Sequence, residues 1–107
     1  MEKTIIGAAS CYTKKYFFNP EMKKLPRDIQ NDIKTIAVCL AEKLHGIFTV
    51  GFYDDGSLYF EAVADEDDFD FDEIGAHLEI EKLKREQKEM IDSLMLWYKI
   101  FRKGKSK

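Results

Sequence analysis

The strongest pattern of hydrophobic and polar positions lies in the middle of the chain. Ile47-Phe48-Thr49-Val50-Gly51-Phe52-Tyr53 and Ser57-Leu58-Tyr59-Phe60-Glu61-Ala62-Val63 are two β-branched and aromatic runs around Asp54-Asp55-Gly56. Such runs joined at Asp-Gly predict a β-hairpin, because glycine takes a positive φ without a Cβ penalty. Alternation puts Phe48, Val50 and Phe52 on one face, with Leu58, Phe60 and Ala62 beside them across the turn. Before the hairpin, Ile29, Ile33, Ile36, Val38, Leu40 and Leu44 recur at helical spacing behind Pro26 and Asp28, and His45-Gly46 closes the run. This predicts a helix over 26–45, with Gly46 as the left-handed residue past its end. Residues 4–18 carry Tyr12, Tyr16, Phe17 and Phe18 and predict one or two strands, with close backbone approach or a bulge allowed at Gly7-Ala8-Ala9-Ser10 and a stop at Asn19-Pro20.

From about residue 71 to 103 neither proline nor a β-branched run interrupts the chain. Ile80, Leu83, Gln87, Met90, Leu94, Trp97 and Phe101 repeat with the 3-4 spacing of a heptad seam, so one long helix is expected. The fold class is therefore α+β: a small antiparallel sheet, made of the central hairpin plus one or two N-terminal strands, packed against two helices of which the C-terminal one is long. Residues 1–107 form one domain, and about 103–107 a basic flexible tail. So small a sheet cannot bury both faces by itself. A homodimer is expected, with the C-terminal helices pairing through Ile80, Leu83, Gln87 and Met90.

Charge changes the picture more than composition does. The 107 residues are 45% hydrophobic and 35% charged, with 17 basic and 20 acidic side chains and a net charge of −3. That balance argues against general nucleic-acid binding or adhesion to a membrane surface. The charges are segregated, however. Eight Lys and Arg face five Asp and Glu up to Tyr53, eleven acids and no base lie in 54–79, and nine bases face four acids from Ile80 onward. An acidic middle of this kind suits a basic partner, including the region of Lys82, Lys84, Arg85 and Lys88 in either copy of a dimer.

The chemistry-bearing residues are few. Asp65-Glu66-Asp67-Asp68-Phe69-Asp70-Phe71-Asp72-Glu73 packs seven carboxylates into nine positions. Asp68, Phe69, Asp70, Phe71, Asp72 and Glu73 are the candidate partner-binding residues, the two phenylalanines acting as apolar anchors between charges. The alternative is a divalent-cation or small-ligand site, since Asp68, Asp70, Asp72 and Glu79 fall at positions 1, 3, 5 and 12 of a calcium-binding loop. Glu73 stands where that loop needs glycine, which weakens the match. Two cysteines make no disulfide framework, so Cys11 and Cys39 read as cytoplasmic thiols, with Cys39 buried among Ile36-Ala37-Val38-Cys39-Leu40. An enzyme would need an unrecognised site around Cys11 or His45. No nucleophile elbow and no phosphate-cradling glycine loop is present, so no catalytic residue and no cofactor is assigned. No run approaches the apolar length of a membrane span.

At Tyr16-Phe17-Phe18-Asn19-Pro20, at the Asp54-Asp55-Gly56 turn and at Asp67-Asp68-Phe69-Asp70-Phe71-Asp72-Glu73-Ile74-Gly75, the chain resembles a small uncharacterised family of bacterial cytoplasmic proteins. The resemblance spans nearly the whole length. It implies a free-standing soluble bacterial protein and no assigned activity, so the leading functional expectation is a non-enzymatic interaction or adaptor protein.

Overall fold

The computed structural model describes residues 3–65 and 71–105, with side chains through residue 100. The N-terminal segment forms two strands, β1 (Lys3–Ser10) and β2 (Lys15–Phe18). The turn between them is held by the Ser10 hydroxyl, which accepts from the backbone N–H groups of Tyr12 and Thr13. Asn19 then caps a single 3-10 turn at Pro20–Met22, its side chain accepting from the Glu21 N–H. Helix α1 (Arg27–Leu44) follows, then β3 (Ile47–Tyr53) and β4 (Leu58–Val63), which make the expected hairpin. Gly56 sits at φ 89° in its turn, and Asp55 accepts from both the N–H and the hydroxyl of Ser57, which holds its carboxyl below the usual range.

The four strands form one antiparallel sheet in the order β2-β1-β3-β4. Phe48 lies opposite Ala62, Val50 opposite Phe60 and Phe52 opposite Leu58, so the hairpin register is the one the alternation predicts. β1 carries a bulge between Ile5 and Gly7, which turns Ile6 fully into the core while Ile5 faces the other way. Gly7 is required there by close approach, because an added Cβ would meet the Tyr16 hydroxyl at 2.6 Å.

One face of this sheet carries the core. Ile6, Ala9, Phe48, Val50 and Phe52 pack with Met22 and Leu25, with Ile33, Ala37, Leu40 and Ala41 of α1, and with Leu83 and Leu94 further on. Full burial of each large side chain contributes roughly 1.5–3 kcal/mol. Two readings of α1 are corrected. Its buried stripe runs 33, 37, 40 and 41, which leaves Val38 and Cys39 on the exposed side, and the buried thiol is Cys11. The left-handed residue at its end is His45, at φ 58°, whereas Gly46 is needed because a Cβ there would run into the Val63 carbonyl and the Phe71 ring.

The long C-terminal segment is helical from Glu73 to Lys105 with one interruption. Helix α2 (Glu73–Glu86) and helix α3 (Lys88–Lys105) meet at Gln87, whose φ of −108° and ψ of 27° leave the helical region. The i to i−4 bonds persist on both sides, from the Gln87 N–H to the Leu83 carbonyl and from the Ile91 N–H to the Gln87 carbonyl. The break re-aims the chain at small cost, so that Leu83 and Leu94 both enter the same core and Trp97 and Tyr98 stack on Phe52. Among the described residues no helix is long and apolar enough to cross a membrane.

Candidate functional site

Among the described residues, α1, α2 and α3 lie on the core face of the sheet and the opposite face is left uncovered. Alternation along the paired strands sends Lys3, Ile5 and Ala8 of β1, Lys15 and Phe17 of β2, Thr49 and Tyr53 of β3, and Tyr59, Glu61 and Val63 of β4 to that side. An antiparallel sheet with one wet face ordinarily shows polar residues there. This one shows Phe17 at 52%, Val63 at 44% and Ile5 at 41% exposure, and none of the three belongs to the core cluster. Isolated exposed apolar side chains are normal, but a set sharing one sheet face points to an interaction surface.

The floor of this face is built, not loose. Tyr59 is only 7% exposed although it lies on the face opposite α1, α2 and α3. It lies flat over Gly51, where an added Cβ would meet the Tyr59 ring at 2.5 Å and the Thr4 carbonyl at 2.6 Å. Tyr53 packs beside it with ring centroids 5.1 Å apart. The Lys3 ammonium stands 5.0 Å from the Tyr59 ring centre and 5.7 Å from that of Tyr53, and 3.8 Å from the Glu61 carboxylate. Burial first, and then the nearby negative charge of Glu61, raise the Tyr59 phenol above its ordinary pKa. The result is a flat aromatic and aliphatic floor with a basic side chain at the β2 edge, Lys15, and an acidic one at the β4 edge, Glu61.

The sequence-predicted residues fall elsewhere. Asp68, Phe69 and Asp70 lie outside the described residues. Phe71 is half-buried against Gly46, Asp72 occupies the N-cap position of α2 and Glu73 its first turn. Phe71 and Glu73 line an open cleft of about 600 Å³ with Val63, Asp65, His77 and Ile80. Glu79, the twelfth position of the calcium-type spacing, is in the second turn of α2 and accepts from the Lys43 ammonium at 2.9 Å, which holds its carboxyl below the usual range. Among the described residues no group of three or more potential metal ligands is assembled. Of the seam residues, Leu83 is 7% exposed inside the subunit's own core, with Ile80 and Met90 packed against it and Gln87 at the helix break. Among the described residues the large apolar side chains left exposed on α2 and α3 are Ile74, Leu78, Leu96 and Ile100. Cys11 and His45 do come to one corner, where the Cys11 N–H donates to the Gly46 carbonyl and the Tyr12 ring meets His45 edge-on, with the thiol buried.

The expectation that so small a sheet leaves a face unburied named no residues for that face, although a signal for them existed. β3 reads as apolar or aromatic in both phases, with Ile47 and Tyr53 outward as well as Phe48, Val50 and Phe52 inward. A strand that is apolar in both phases is expected to be covered on both faces.

The class defined by this geometry is a two-layer α+β protein, helices α1, α2 and α3 on one face of a four-stranded antiparallel sheet, with the second face apolar and open among the described residues. Over residues 3–106 the chain matches the model of DUF6145, a family of unknown function, and it belongs to that family. No curated protein and no solved structure matches it.

Proposed function

We propose that this chain is a non-enzymatic interaction or adaptor protein that acts as a homodimer, and that the uncovered face of its sheet is its working surface. The observation that carries the reading is the exposure of Phe17, Val63 and Ile5 together on one sheet face outside the core. Covering such a face removes apolar area from water at about 25 cal/mol per Å². The rigid Tyr53 and Tyr59 pair adds aromatic contact area with few rotatable bonds to immobilise on binding.

Light scattering coupled to size exclusion tests the reading over a concentration series. The wild type is expected to move from the 12.5 kDa chain mass toward twice that value as concentration rises. Phe17→Ser is expected to remain at the chain mass while keeping its circular dichroism, because the side chain is half-exposed and adds little to the fold. A wild type that stays at the chain mass throughout, or a Phe17→Ser variant that dimerises like the wild type, overturns it.

A further inference from the structure

The two edges of the open face carry opposite charges, with Lys3 of the inner strand β1 also outward and 3.8 Å from Glu61, and the edge charges constrain how a second copy can sit on it. β2 and β4 are the two edges of the sheet. The outward charge on β2 is Lys15, and that on β4 is Glu61. Two copies packed face to face about a two-fold axis in the interface plane have two aligned arrangements. With the axis across the strands, each edge strand lies over its own counterpart, basic over basic and acidic over acidic. With the axis along the strands, β2 of one copy lies over β4 of the other.

The pairing register makes the second arrangement specific. Lys15 pairs with Ser10, Ser10 with Ile47 and Ile47 with Val63, so these four share one row across the sheet. Phe17 likewise shares a row with Ala8, Thr49 and Glu61. Rotation about an axis along the strands preserves the rows. It sets Lys15 over the second copy's Val63, one outward position along the strand from Glu61, and sets Phe17 over the Glu61 row, flanked by the apolar side chains of Val63 and Tyr59.

We infer that the occupant of the open face is a second copy of this chain, set so that Lys15 of each meets Glu61 of the other. The inference rests on the interaction reading above and adds the arrangement. Four strands about 4.8 Å apart and about 20 Å long give a footprint near 400 Å² per copy, in the range of small, weak interfaces, so dissociation is expected in the micromolar range.

The experiment is a charge exchange measured by sedimentation equilibrium up to about 500 µM. Lys15→Glu and Glu61→Lys each place like charges together in their own homodimers and are expected to weaken self-association about tenfold. Both side chains are exposed, so both variants are expected to keep wild-type circular dichroism, Lys15→Glu with wild-type Tm and Glu61→Lys with a slightly lower one because it gives up the Lys3 ion pair. Mixed together they restore opposite charges at both contacts, and a 15N-labelled Lys15→Glu chain is expected to pair with unlabelled Glu61→Lys at near wild-type affinity. A wild type that is monomeric at every concentration removes the dimer and the arrangement together. A wild-type dimer whose single variants associate normally, or whose mixed variants fail to recover, overturns the arrangement and leaves the dimer standing.

Discussion

Gly51→Ala probes the floor of the open face at its tightest point. The added methyl would lie 2.5–2.6 Å from the Tyr59 ring and 2.6 Å from the Thr4 carbonyl, well inside contact distance. The carbonyl belongs to the β1–β3 ladder, where Thr4 pairs with Phe52, and it cannot yield without bending the sheet. The Tyr59 ring is therefore expected to lift. A tyrosine buries about 200 Å², so raising half of it returns about 100 Å² to water and costs about 2.5 kcal/mol. Loss of the Lys3 ammonium over the ring adds about 0.5 kcal/mol. The stiffer unfolded chain with alanine offsets about 0.5–1 kcal/mol. The net is a loss of about 2 kcal/mol, or about 8–16 °C in Tm for a domain of this size. Urea titration and thermal melts of Gly51→Ala, Tyr59→Ala and the double variant read it. With the ring gone only the carbonyl contact remains, so Gly51→Ala is expected to cost less in the Tyr59→Ala background. A Gly51→Ala protein as stable as wild type, or costs that simply add, would refute the packing described here.

Other consequences follow from particular contacts. Phe52→Ala removes a fully buried ring that stacks on Tyr98 at 4.4 Å and Trp97 at 6.5 Å, and is expected to cost about 3–5 kcal/mol with a change in Trp97 fluorescence; a loss under about 1 kcal/mol in urea titration contradicts the α3 docking. Thiol labelling of the native protein is expected to modify Cys39 quickly and Cys11 only on unfolding, and equal rates would contradict their placement. The Tyr16 phenol is pushed up to about 12 by burial. Because the folded value is raised above the unfolded one, its contribution is intact below pH 10 and declines as pH rises toward 12; ultraviolet titration is expected to show a tyrosine ionising near pH 12 alongside that loss of stability. If every tyrosine ionises near pH 10, the burial of Tyr16 is wrong.

How far the fold was legible varied with the kind of signal. The β3–β4 register followed from alternation because a one-residue slip would have exchanged Phe48, Val50 and Phe52 for Ile47, Thr49 and Gly51 in the core, and Gly56 fixes the turn. The break at Gln87 was not legible. Glutamine is a good helix former, and the interruption is set by where Leu83 and Leu94 find the core, which is a tertiary cause. The heptad spacing was real, and Leu83 and Leu94 from it are buried in the subunit's own core with Ile80, Met90 and Trp97 packed against that core, since periodicity specifies an apolar stripe and not what covers it. Cys39 was misplaced because Ile36-Ala37-Val38-Cys39-Leu40 is apolar on every side of α1, and only packing shows which third of it turns inward. The open sheet face was written in the second phase of β3 and β4, where outward apolar residues outnumber what a solvated strand requires.

Chemical shifts followed as the protein is diluted from about 500 µM to about 10 µM test the central claim most directly, since they report which side chains change environment on association. The account predicts changes concentrated at Ile5, Lys15, Phe17, Tyr59, Glu61 and Val63, on the open sheet face. Changes concentrated instead at Ile74, Leu78, Leu96 and Ile100, on the outer sides of α2 and α3, or no change at any residue, would contradict it.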